Sequence, residues 1–150
     1  MSNSNETSRE IRDSGTCGEC TWTLDSNWHL IIAPADGVRG ILEDISRGAW
    51  PWKDWSMHIE SVVIAAGVVA NSSVACMFDG CWNLKSIDLS GLDTSNATDM
   101  SCMFSDCFAL VSIDLASFAW NNIDSLGSRH CPSKAVALCC AFLRFILKRA

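Results

Sequence analysis

The strongest constraint on this chain is that it repeats itself. Cys76-Met77-Phe78, Cys81, Leu84 and Ser86-Ile87-Asp88-Leu89 recur as Cys102-Met103-Phe104, Cys107, Leu110 and Ser112-Ile113-Asp114-Leu115, each displaced by 26 residues. Leu92 answers to Phe118 at the same offset. A fixed period in this range marks units that cannot bury their apolar edge alone and must stack on one another. A fainter copy, Ile59-x-x-Val62-x-Ile64, precedes Leu84-x-x-Ile87-x-Leu89 by 25 residues. The pattern therefore predicts about three rungs, near the minimum a stacked array needs.

Within each unit, Leu84-x-x-Ile87-x-Leu89-x-x-Leu92 and Leu110-x-x-Ile113-x-Leu115-x-x-Phe118 follow the leucine-rich-repeat grammar: a short strand with inward residues at i and i+2, flanked by apolar anchors. Asp93-Thr94-Ser95-Asn96 is turn chemistry. Thr98 or Asp99 is a candidate N-cap for a helix carrying Met100, Met103, Phe104 and Cys107 on one face. Ser73 would cap the equivalent helix through Met77, Phe78 and Cys81. The expected fold class is accordingly α/β: a short leucine-rich-repeat solenoid of parallel strands and short helices. The expected organisation is a disordered N-terminus over 1–14 and a β-rich cap over 15–56. A repeat array over 57–126 and an atypical basic, Cys-rich tail over 127–150, irregular or helical, complete it. In the cap, TWTL and HLII read as hairpin strands. The run Ala49 to Trp55 (AWPWKDW) would pack over them.

The stretch from Met77 to Leu115, MFDGCWNLKSIDLSGLDTSNATDMSCMFSDCFALVSIDL, resembles the BspA-like leucine-rich repeat of bacterial surface proteins and mycoplasma lipoproteins. Ala97 stands where that pattern usually has Val. GTCGECTWTL and the WPW region are similar to the leader module that often precedes such arrays. The resemblance implies a surface or secreted protein that binds host or matrix proteins and performs no catalysis. The basic tail follows none of this pattern, as expected of a truncated or frame-shifted copy of a longer array. The polar first twenty residues lack the apolar segment of a signal peptide.

Charge narrows the choice of partner. The net charge of −6 disfavours nucleic acid, which needs clustered Lys and Arg. The charge is also uneven: residues 71–126 hold one basic and seven acidic groups, whereas 127–150 hold five basic and none acidic. Over 134–147 a helix would be apolar around most of its circumference. It would have to hide against the last rung, in a dimer, or, less in keeping with the rest of the chain, at an anionic membrane.

Nine cysteines, an odd number, argue against a complete disulfide framework. Cys17-Gly-Glu-Cys20 has the spacing of a redox pair or half a zinc site, but it leads into a strand, and His29, His58 and His130 are scattered singly. It reads as a packed pair. Cys76, Cys81, Cys102 and Cys107 recur with the repeat and read as buried thiols, about 8–10 Å apart on adjacent helices and too far to bridge. No catalytic, cofactor-binding or metal-ligating set stands out. The candidate partner-facing residues are Asp88 and Asp114, one rung apart on the outer strand face, and the repeat-equivalent aromatics Trp82 and Phe108. The function expected is therefore a non-catalytic protein-binding or adhesion module. Its alternatives are a small Cys-based metal or redox protein and a non-functional remnant of a repeat protein.

Overall fold

The computed structural model describes residues 9–45 and 49–119. The tail over 127–150, with Cys131, Cys139, Cys140 and His130, lies outside the described residues, as do Trp120 and residues 1–8 of the expected disordered N-terminus. The described chain begins as an antiparallel meander of β1 (Ile11–Cys17), β2 (Cys20–Asp25) and β3 (His29–Pro34). Alternation explains β2: Trp22 and Leu24 are buried while Thr21 and Thr23 are half-exposed. This is the hairpin cap that TWTL and HLII predict. Strand β1, however, runs back to Ile11, into the stretch whose polarity predicts disorder. It is held there by pairing with β2 and by Asp13, which accepts the Trp55 Nε1–H at 2.7 Å.

From the cap onward the chain adds parallel strands to two sheets in turn. The strands are β4 (Gly40–Ile41), β5 (Ser61–Ile64), β6 (Val68–Val69), β7 (Ser86–Asp88) and β8 (Leu92–Asp93). One sheet has the order β1-β2-β3-β5-β7 and the other β4-β6-β8. Val62 lies beside Ile87 and Ser61 beside Ser86, the 25-residue register that the faint upstream copy predicts. Gly91 sits where the chain turns between the sheets. A Cβ there would stand 2.2 Å from the Ile64 carbonyl oxygen, so the closeness of two backbones demands glycine.

The helices of the expected α/β solenoid do not form. The architecture is two sheets joined by turns, without closure into a solenoid. The one helical element among the described residues is a three-residue 3-10 turn, Lys53–Trp55. The CMF segments are chains of tight turns. Met77, Asp79 and Cys81 donate their N–H groups three residues back, to Val74, Cys76 and Phe78. The amides between them do the opposite. Cys76, Phe78 and Gly80 donate across to Ser101, Met103 and Ser105 of the next copy, at 2.9–3.0 Å. An α-helix spends every amide on its own carbonyls; here half go to the neighbour. The backbone reverses hand to do this, with φ of 61° and 54° at Cys76 and Cys102, and 73° and 57° at Gly80 and Asp106. Such left-handed residues cannot continue a right-handed helix. Ser73, the expected cap, instead donates its hydroxyl to Ile45 O. Equivalent cysteines therefore sit on directly hydrogen-bonded chains, spaced by about 4.8 Å rather than the 8–10 Å expected of packed helices.

The core runs the length of the stack. Leu30, Ile32, Val62 and Ile64 project inward from the first sheet and Val68 and Leu92 from the second, and Leu84 and Leu89 join the core from either side of β7. Trp52 is its hinge-pin. It is fully buried, donates Nε1–H to Met77 O at 3.0 Å, and packs edge-on to Trp22 and face-on to Phe78. Phe78 in turn stacks on Phe104, with centroids 5.9 Å apart. The WPW run thus fills the joint between cap and repeats.

Candidate recognition surface

Two pairs of repeat-equivalent residues stand outward on the last two rungs. Asp88 closes β7, and its Oδ1 accepts the N–H and hydroxyl of Ser90 at 3.0 and 2.6 Å. Asp114 repeats the device one rung on, taking the Ala116 N–H at 2.9 Å. Asp93 and Asp99 do likewise with Ser95 and Ser101. These carboxylates are therefore turn-formers first. The two bonds from Ser90 also hold the Asp88 carboxyl below the usual 3.8, so the group stays ionised.

The second oxygen, Oδ2, of Asp88 and of Asp114 has no partner among the described residues. Both acids line one open groove of about 250 Å³, with Ser90 and Ser117 at its rim and Ile87, Leu89 and Ala116 completing its wall. Residues 111–115, which carry Asp114, form no sixth strand beside β7. The groove is acidic, partly apolar and bordered by hydroxyls. The two serines were not singled out in the sequence, although Ser90 follows Asp88 at the i+2 spacing of a side-chain-capped turn, a readable signal.

Trp82 and Phe108 form the second pair. They are 48% and 56% exposed and meet edge to face at 6.2 Å. Each precedes its acid by six positions in the repeat. Six residues separate Trp82 from Asp88, which caps their separation at about 20 Å. Val111 is a further exposed apolar side chain on the last rung, and Met57 stands exposed one rung before Trp82. The structure thus places each expected residue on the surface, joins the two acids in one groove, and leaves the aromatic pair beside it on the chain.

The cysteine motif lies elsewhere. Cys17 and Cys20 face each other across the β1–β2 turn and are buried. Burial pushes the Cys17 thiol up to about 12, with Glu43 adding to it, and the Cys20 thiol up to about 11, with Glu19 adding. Groups held so high are thiols at neutral pH, whereas redox exchange and metal binding use the thiolate. The Cys20 Sγ–H donates to Gly40 O, a packing contact. Among the described residues, no three His, Cys, Asp or Glu side chains are grouped to hold a metal ion. Among the described residues one hydroxyl–imidazole contact occurs, between Ser61 and His29 Nδ1 on paired positions of β5 and β3. Asp25 there holds the backbone N–H of His29 and not its ring, so the trio stitches strands together.

No family model, curated protein or solved structure matches the chain. Among the described residues, no helix is long and apolar enough to cross a membrane.

Proposed function

We propose that this protein is a non-catalytic recognition module of the surface-protein kind, binding an extended segment of another protein. The observation that carries the reading is the groove between Asp88 and Asp114, where each carboxylate keeps one oxygen without a partner among the described residues. Lys or Arg suits that groove, since a cationic side chain can lay its apolar stem on Ile87 and Ala116 and its head between the acids. Trp82 and Phe108 offer an aromatic contact for an apolar residue a few positions along the same segment. The likeness of the repeats to those of bacterial surface proteins supports a cell-surface or secreted setting and a host or matrix protein as partner.

The test is a panel of extended peptides of about ten residues, probed with the full chain and with an Asp88→Asn/Asp114→Asn double variant. Peptides bearing a basic and an aromatic residue should be enriched, and the double variant should lose about tenfold in affinity, the scale of one charge-assisted contact. Equal retention by both proteins would sink the reading. Trp82→Ala should weaken the same peptides without changing their charge preference.

A further inference from the structure

Among the described residues nothing covers the end of the stack that carries the groove, and the chemistry of that end matches a segment of the same chain. Strands β7 and β8 are the last members of their two sheets and lie at the same end. The last rung exposes Phe108 and Val111, the latter 76% open to water. Between 71 and 119 the charged side chains are six aspartates and Lys85, and Lys85 is already paired with Glu60 at 2.7 Å. The described chain leaves this end at Ala119, whose N–H donates to Thr94 Oγ1 at 2.8 Å, directly after β8.

Beyond Ala119 the sequence continues for 31 residues, with five basic groups and a single acidic one, Asp124. Residues 134–149 combine Lys134, Arg144, Lys148 and Arg149 with Val136, Leu138, Phe142, Leu143, Ile146 and Leu147. An acidic, apolar-edged surface thus stands at the root of a basic, apolar segment. The fifteen residues from Ala119 to Lys134 extend at most about 50 Å, ample to turn back over one rung. Tethering raises the effective concentration to the millimolar range, so a weak contact suffices.

We infer that residues 134–149 seat on the open end of the stack, with Lys or Arg in the Asp88–Asp114 groove and apolar side chains over Phe108 and Val111. The tail is then a built-in occupant of the surface that the proposed function uses, and an outside partner must displace it. The seating itself does not depend on there being an outside partner.

Zero-length carbodiimide cross-linking of the full chain tests this. The reagent joins a Lys amine to a carboxylate it touches, and mass spectrometry locates the bond. An equal mixture of ordinary and nitrogen-15-labelled protein separates links within one chain from links between two. The expected result is Lys134 or Lys148 joined to Asp88 or Asp114 within one chain, with yield falling several-fold at high salt. Mixed-isotope links would assign the surface to a second copy and overturn the inference. So would links spread evenly to Glu10, Glu19 and Asp36 at the other end, or none at all. As a second readout, Lys134→Glu/Lys148→Glu should speed amide exchange at Ile87 and Leu89 about tenfold; unchanged exchange counts against the seating. If the seating holds while the peptide panel shows no preference, the groove serves the tail alone.

Discussion

Phe78→Ala is the substitution that most directly probes how cap and repeats are joined. Phe78 is fully buried, with Trp52 on one side at 6.2 Å and Phe104 on the other at 5.9 Å. Truncating a buried Phe costs about 3–5 kcal/mol, and each aromatic partner adds about 0.5–1.5 kcal/mol beyond the area lost. With a ring on both faces, the cost should lie near the top, at about 5 kcal/mol. Phe104 is 8% exposed and has one ring neighbour among the described residues, Phe78, so Phe104→Ala should cost less, about 3 kcal/mol. The double variant should fall short of the sum by about 1 kcal/mol, the coupling of the stacked pair. Urea unfolding followed by tryptophan fluorescence and far-ultraviolet circular dichroism measures all three. Should Phe78→Ala leave too little folded protein, Phe78→Leu gives a graded version of the same comparison. If Phe104→Ala proves as costly as Phe78→Ala, or the two effects simply add, the continuous aromatic column is not what links cap to repeats.

Other outcomes rest on the turns and carboxylates. Asp106→Gly should stabilise by about 0.5 kcal/mol, because it relieves a left-handed residue at modest entropic cost, while Gly80→Ala should destabilise by about 1 kcal/mol; both are read as shifts in urea midpoint. Gly91→Ala should cost about 3 kcal/mol, since the new methyl meets backbone that cannot swing aside, and a wild-type melting temperature would show that the two sheets have slack there. Asp36, Asp44, Asp88 and Asp93 are all held below the usual 3.8 by hydrogen bonds from nearby N–H or hydroxyl groups. Their contribution is therefore complete above about pH 4 and drains as pH falls through the lowered values, so melting temperature should be flat near neutrality and drop in acid. Asp88→Asn should slightly destabilise, because the bonds from Ser90 lose their charge; equal or higher stability would mean that repulsion from Asp114 outweighs them.

The strands β2, β3, β5 and β7 of the first sheet were legible, whereas β1, the second sheet and the turns were not. Inward residues such as Val62, Ile64, Ile87 and Leu89 alternate in a period of two, and stacking in register results once two copies share that period. Met77, Phe78, Cys81 and Leu84 are spaced by about three residues, which suits a helix and equally suits successive three-residue turns. What separates the two is the hand of the backbone at Cys76 and Cys102. Cysteine gives no warning of a left-handed conformation, whereas Gly80 does and Asp106 weakly does. The acids were found because they repeat. The groove between them was not, and neither was the absence of a strand over 111–115, since nothing in Val111-Ser112-Ile113 distinguishes that outcome from Lys85-Ser86-Ile87.

The alternation of amides along the CMF turns also governs how such a chain can change in length. Cys76, Phe78 and Gly80 hand their N–H groups to the following copy, while the residues between keep theirs. Losing a single residue from this stretch would exchange the two sets, pointing donors inward and leaving the neighbour's carbonyls without them. Losing or gaining a whole 26-residue copy keeps the two sets of amides in phase, so the junction between copies keeps its donors and acceptors. Small insertions and deletions should therefore be lethal to folding within 76–81. Duplication of an entire 26-residue unit, inserted in frame, should fold as readily as the original.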